Sequence, residues 1–437
     1  MKINLASEKG QAMVILVIAL VALMGFVGLA VDGGIIYSER RFAQNASDAS
    51  SLSGGGAAAL SLENSQVVYW NWNCNDSRVV AAQQTAIAAA IQQAQVNSFT
   101  IDGSTADNNG ASTRCDVVDN GSYVDKYIDV TSMISHTIGT YFVQFVYSGP
   151  MIDNVQAITR VRPRSPLAFG NAVFATREDC PNSDTGGVHF DGNNQVNISG
   201  GGIFSNACIR SGGSVDVNVT GTGGVTCIGA DCYKESGNPG MSPAPKTGDY
   251  RLPPFSMEVP EPSCDGLASK SVHGDTMSPG HYSNVRINNG DELTMEPGLY
   301  CVDNFRMNGG KLNGEGVTIY ITTGDFIITG GEIVLSSPPA RNCDDSICPP
   351  ALPGVLIYLS RDNTGEIALL GNAHSDYLGL VYAPDGTIEL GGTAGETSQV
   401  HAQLVADTVK LHGNAELILN YDDEENYQKA AMIELFK

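Results

Sequence analysis

The sequence predicts an N-terminal transmembrane and stem α-helix with a small α+β module, followed by a mainly β region folded as a right-handed parallel β-helix. Three observations carry this. Ala12 to Val31 is an apolar run of twenty residues without a charged side chain. An amphipathic, Ala-rich helical pattern follows it directly. Beyond Pro163 the chain changes to short apolar triplets, cut by Gly and Asn, that recur at nearly constant distance.

The apolar run is long enough to cross a bilayer: at about 1.5 Å per residue it spans a hydrocarbon core of about 30 Å. Residues 1–10 then form a cytoplasmic leader and 11–31 the transmembrane helix. A removed signal peptide is the alternative, with cleavage after Val31. Its apolar segment would be shorter, about 7–15 residues, and would close on a small-residue cleavage site. Positive charge does not orient the helix, because Lys2 and Lys9 before it balance Arg40 and Arg41 after it.

Cysteine does orient it. All ten cysteines follow the apolar run, their number is even, and none sits in a paired CxxC zinc pattern. Disulfides persist in oxidising compartments, so the body is expected outside the cytoplasm. The sequence neighbours Cys227 with Cys232, and Cys343 with Cys348, suggest small loops; Cys74 and Cys115 are further disulfide candidates. The remaining connectivity stays open, as does the alternative of free buried thiols. A net charge of −23 argues against nucleic acid as a partner. Only 16% of residues are charged while 50 of 437 are Gly, the profile of an exported β protein rather than a cytosolic enzyme.

Ile35, Phe42, Ala46, Ala49 and Leu52 fall on one helical stripe, so the helix is expected to continue to about Leu52, with Gly54-Gly55-Gly56 interrupting it. The residues Glu8-Lys9-Gly10-Gln11-Ala12, the apolar run, Ala30-Val31-Asp32-Gly33-Gly34, Tyr37, Arg40-Arg41, Gln44-Asn45-Ala46-Ser47-Asp48-Ala49 and Ser53-Gly54 together resemble the N-terminal region of TadE/TadG-like proteins of the tight-adherence, or Flp-type, pilus system. Gly10, Gln11, Asp32, Gly33, Gln44 and Asp48 carry the motif. Ser47, Ser50, Ser51 and Ser53 stand where the family usually has Ala. The resemblance covers about 50 residues. It implies an envelope protein of a pilus or surface-assembly system, whose partners are the membrane and other pilus-assembly subunits or copies of itself. Gly10 also raises cleavage by a prepilin-type peptidase, although Ile15 stands where type IV pilins carry Glu.

Residues 32–163 read as a pilin-like stem and α+β module. Val79–Val96 is expected as a helix with Val80, Ile87, Ile91 and Ala94 on one side, Asp102–Asn120 as a loop, Tyr127–Thr131 as a strand, Ile138–Tyr147 as a helix or strand, and Val155–Val161 as a strand.

Residues 164–421 are the β-helix. Ile319-Tyr320-Ile321, Ile357-Tyr358-Leu359, Val381-Tyr382-Ala383 and Leu404-Val405-Ala406 recur at steps of 38, 24 and 23 residues. The long step contains an insertion, Ser336 to Leu352, with Cys343 and Cys348. Between the triplets lie strand pairs such as Ile367/Leu369, Ile388/Leu390 and Val409/Leu411. A period of that length with three short strands per turn is the mark of a solenoid; a β-sandwich is the competing reading. Residues 236–263, with seven prolines, are expected to leave the solenoid as an excursion without regular structure. Residues 422–437, opened by Asp422-Asp423-Glu424-Glu425, are expected as a capping helix.

Catalytic signatures are sparse. The seven histidines are scattered, and no HExxH, GxSxG or P-loop pattern occurs. Asp376 near His374, and His273 near Asp275, are the only pairs worth weighing, and each reads more simply as a solvated loop. No catalytic, cofactor-binding or metal residue is assigned. Ca²⁺ is the one conceivable ligand, at Asp102, Ser104, Asp107 and Asn109, or at Asp422 to Glu425, though neither matches EF-hand spacing. The expected function is a single-pass, extracytoplasmic structural or adhesive component of a Tad pilus, possible surface glycan contacts included. The alternatives are a surface-anchored carbohydrate-active β-helix enzyme, or a pilin-like subunit polymerising into an extracellular filament through its N-terminal helix.

Overall fold

The computed structural model describes residues 9–145, 147–180, 187–370, 375–392, 397–414 and 416–436. The chain divides into two units: residues 1–117, 126–164 and 431–437 form one, and residues 118–125 with 165–430 the other.

In the first unit, helix α1 runs unbroken over Lys9–Asn64, so the Gly54-Gly55-Gly56 triplet does not end it near Leu52 as expected. Glycine is there for close approach. A Cβ on Gly54 would stand 2.8 Å from the Ala86 carbonyl oxygen, and one on Gly55 would stand 2.5 Å from Thr159 Cγ2. Helix α2, Ser77–Val96, starts where the Asp76 side chain accepts the Arg78 N–H at 2.8 Å. Its buried stripe is Val79, Ala82, Ala86, Ala90 and Ala94, with Val80 outside. Of the expected stripe, Ala94 is buried and Ile87 and Ile91 pack half-buried against the core, and only Val80 faces out; the small alanines allow the two helices to approach closely.

The strands of this unit are β1, Gly110–Asp119; β2, Val124–Ile138; and β3, Met151–Arg162. The loop expected over Asp102–Asn120 thus contains a strand. Among the described residues of 138–147, only Ile138 belongs to a strand, and the rest is a turn with one short 3₁₀ segment, Val143–Phe145. β2 and β3 pair antiparallel, from Ile128 with Val161 to Ile138 with Met151. The expected C-terminal helix is absent: Gln428–Lys429 and Met432–Leu435 are strands, the latter antiparallel to β3. The free edge of β3 offers backbone partners that outweigh the helix propensity of this stretch, and Arg162 reaches Glu434 at 3.0 Å.

The second unit is a β-solenoid of about 11 turns. The recurring triplets are direct register partners: Ile319 with Ile357, Ile357 with Val381, and Val381 with Leu404. Inward side chains form apolar columns, including the stacked rings of Phe305 and Phe326, 4.5 Å apart. Corners need glycine; Gly310 has φ +87°, and a Cβ there would meet the Asp291 carbonyl oxygen at 2.4 Å.

The order of turns in space differs from their order in sequence. The Thr397–Gly413 strand pairs in parallel with Asn171–Ala175 and Gly187–Gly192, and Glu416–Asn420 pairs with Gln195–Ser199. The last turns therefore stack on the first. The chain starts mid-stack and climbs to Lys246–Gly248 at one end. It then crosses to Thr276–Met277 at the other end, and climbs back to its own start.

The crossing is the proline-rich segment, and its expected boundaries shift. Gly240–Ser242 and Lys246–Gly248 are still solenoid strands, paired with Asp216–Val219 and Val225–Ile228. Residues 249–275 form an extended strap along one outer face. Leu252 N–H donates to Asn206 Oδ1 at 3.0 Å, the Tyr382 hydroxyl to the Met257 carbonyl at 3.1 Å, and the Tyr320 hydroxyl to Glu261 Oε1 at 2.7 Å. Cys264 is bonded to Cys301, and Lys270 N–H donates to the His281 carbonyl at 2.8 Å. Tyr320, Tyr358 and Tyr382 are register neighbours in one outward column, and the strap buries them. About ten turns at 4.8 Å need roughly 50 Å, within the reach of 27 extended residues.

Candidate membrane anchor and assembly surface

The apolar run lies within α1, and from Met13 to Val31 its large side chains are exposed. From Ala43 onward one face of the same helix is buried by its own module: Ala43, Ala46, Ala58 and Leu62 pack against α2 and the sheet, while Leu52 and Leu60 stay exposed. The serines that replace the family's alanines are used in this packing. Ser47 donates to the Ser132 carbonyl at 2.9 Å and Ser50 to the Ala90 carbonyl at 2.7 Å; Thr159 donates to Ser51 Oγ at 2.9 Å. All three serines are fully buried, where an unpaired hydroxyl is costly.

Asp32 sits where the apolar run ends, and it is fully buried. Its carboxylate accepts three backbone N–H groups, from Tyr141 at 2.9 Å, Phe142 at 2.8 Å and Val143 at 2.5 Å. It thereby ties the turn between β2 and β3 to the helix. Gln44 donates to Asp48 Oδ1 at 2.7 Å and to the Gln156 carbonyl at 3.1 Å. Gly33 has open space where a side chain would stand. Gly10 and Gln11 lie in the first turns of α1.

Residues 10–59 match the family described as putative Flp pilus-assembly TadE/G-like. Neither the curated proteins nor the solved structures contain a match to the chain. The TadE/G-like segment therefore covers the exposed apolar run and the buried stem; its Asp32 and Gln44 bond the helix to the module, and Asp48 accepts from Gln44 within the helix. An apolar helix in that family setting points to a membrane-anchored, pilus-related component.

All ten cysteines are paired: Cys74 with Cys115, Cys180 with Cys208, Cys227 with Cys232, Cys264 with Cys301, and Cys343 with Cys348. Such density suits an extracellular body. The sequence reading singled out the Cys227–Cys232 and Cys343–Cys348 loops and named Cys74 and Cys115 as candidates; the strap-to-solenoid bond needed the fold.

Of the two weighed acid–histidine pairs, one falls partly outside the described residues. His374 lies outside the described residues, and Asp376 has His401 as its neighbour, at 3.9 Å. His273 and Asp275 act through their backbones, in a bridge to Thr276 and as acceptor of the Thr294 N–H. In the first oxygen-rich loop, Asp102 Oδ1 accepts the Ser104 N–H and Asn109 Oδ1 accepts the Ser135 N–H. In the second, Asp422 Oδ1 accepts the Glu424 N–H. Among the described residues, no group of three or more His, Cys, Asp or Glu side chains could hold a metal ion.

Sequence reasoning missed one cluster. Glu366, Glu389, Lys410 and His412 come together on one outer face, where Glu389 Oε1 meets His412 Nε2. The hydrogen bond with Glu389, then burial, pushes the Glu366 carboxyl up to about 7. The signal was present: Ile367/Leu369, Ile388/Leu390 and Val409/Leu411 point inward, so Glu389 and Lys410 between them must stack outward.

Proposed function

We propose that the protein is a structural component of a Tad-type pilus or related surface-assembly system, anchored by residues 11–31 and acting outside the cytoplasm. The observation that carries this reading is the division of α1. Its stem is covered by its own module, while Met13 to Val31 remain apolar and exposed. A surface of that size demands lipid or protein cover. Five disulfides support an oxidising compartment. The strapped solenoid is suited to a rigid projecting body for attachment or assembly rather than to turnover.

The test is fractionation with a deletion phenotype. The full-length protein should stay with the membrane or with sheared filaments, oxidised at every cysteine, and its loss should reduce pili or adhesion. Recovery of soluble cytosolic protein with reduced thiols would refute the proposal. A second reading, a carbohydrate-active enzyme, is favoured by the Glu366–Glu389 pair, since paired carboxyls of split acidity serve glycoside hydrolysis. Turnover of glycans by the purified protein, abolished by Glu389→Gln, would select it.

A further inference from the structure

We propose that the turn joining β2 to β3, residues 139–145 and 147–150, is a second membrane contact, seated in the lipid interface beside the point where α1 leaves the bilayer. This rests on the reading of α1 as the anchor.

Composition is the first argument. From Ile138 to Ile152 no side chain is charged, in a chain with a net charge of −23. Its large apolar groups point outward: Tyr141 is 66% exposed, Phe142 48% and Tyr147 55%. A β-turn facing only water would lose nothing by carrying polar residues at these positions.

Position is the second. The three bonds to Asp32 hold the turn against the end of the apolar run. The Phe142 ring lies directly over Gly28, where an added Cβ would be 2.7 Å from Cγ. Gly28 is three residues inside Val31, so the ring sits about 5 Å below the end of the run, within the 5–10 Å depth of interfacial side chains. The turn's apolar surface is therefore continuous with that of the transmembrane segment.

Backbone chemistry is the third. Irregular chain cannot enter hydrocarbon with unpaired N–H groups. Here Asp32 takes those of Tyr141, Phe142 and Val143, and the Val143 carbonyl accepts the Tyr147 N–H at 2.8 Å. Tyr rings with wet hydroxyl ends are the side chains favoured at the headgroup level. Lipid is thus the occupant, rather than a second copy of the chain.

The experiment uses the full-length protein in phosphatidylcholine–phosphatidylglycerol liposomes, with Trp70→Phe and Trp72→Phe to clear the background. Phe142→Trp and, separately, Tyr147→Trp report on the turn, and Leu20→Trp reports on the anchor. The proposal expects blue-shifted turn emission, reduced about twofold or more by lipids brominated near the headgroup boundary. Emission reached by aqueous acrylamide but not by brominated lipid overturns it. So does blue-shifted emission insensitive to both, which would mean protein cover. If Leu20→Trp is quenched by chain-brominated lipid while both turn probes are not, the turn proposal fails alone. If Leu20→Trp is not quenched, the anchor reading fails and the proposal falls with it.

Discussion

Leu404 lies in parallel register with Val173, although the two residues stand near opposite ends of the solenoid's sequence. Both are fully buried, so the seam between the last turn and the first is part of the core. Leu404→Ala should lower unfolding free energy by about 2–5 kcal/mol. An urea unfolding curve measures this, and a loss below half a kcal/mol would mean the seam is not packed as described.

The strap should be removable without removing the solenoid. Replacing Cys264 and Cys301 by Ser opens a loop closed across a separation of 37 residues. The expected cost is about 2–4 kcal/mol. Limited proteolysis of this variant should yield new cleavage within 249–275 while far-ultraviolet circular dichroism stays unchanged.

Glu261 gives the strap a charge-dependent contact. Burial disfavours its carboxylate, but the Tyr320 and Ser360 hydroxyls and the Arg361 N–H outweigh that and hold its pKa below the ordinary glutamate value. Tyr320→Phe removes one donor and should cost about 1–3 kcal/mol. Melting measured at pH 7 should show the loss, and the difference from wild type should shrink as acid protonates Glu261.

Glu366 titrates the other way. Its folded pKa of about 7 lies above the ordinary 4.5. Between those values the native state holds more protons than the unfolded chain, so the stability this group contributes is complete below 4.5 and is lost as pH rises through 7. Glu366→Gln keeps a donor and cannot ionise. Its unfolding midpoint relative to wild type should therefore rise between pH 5 and pH 8; parallel profiles would dispose of the assignment.

Gly54→Ala tests the close packing of the stem. Alanine gains about 1 kcal/mol in helix propensity, yet its Cβ would press on the Ala86 carbonyl at 2.8 Å. Net destabilisation is expected. Gly56→Ala, with nothing within 4 Å, should stabilise instead. Thermal melts of the two variants should therefore move in opposite directions.

Local pattern determined the kind of structure in each stretch. The unbroken apolar run, the Ala/Asp stem motif and the alternation of inward Ile, Val and Leu every 21–24 residues each encode one element, because each reflects burial along a single axis. Tertiary contact decided what local pattern could not express. Gly54 and Gly55 read as helix breakers until Ala86 and Thr159 are seen to need their space. Met432–Leu435 reads as helix until the open edge of β3 captures it. The stacking order was also hidden, because every turn of a parallel solenoid presents nearly the same backbone edge. Nothing in the sequence of one turn says which other it must meet. Only the strap, by carrying the chain from one end of the stack to the other, forces the last turn onto the first.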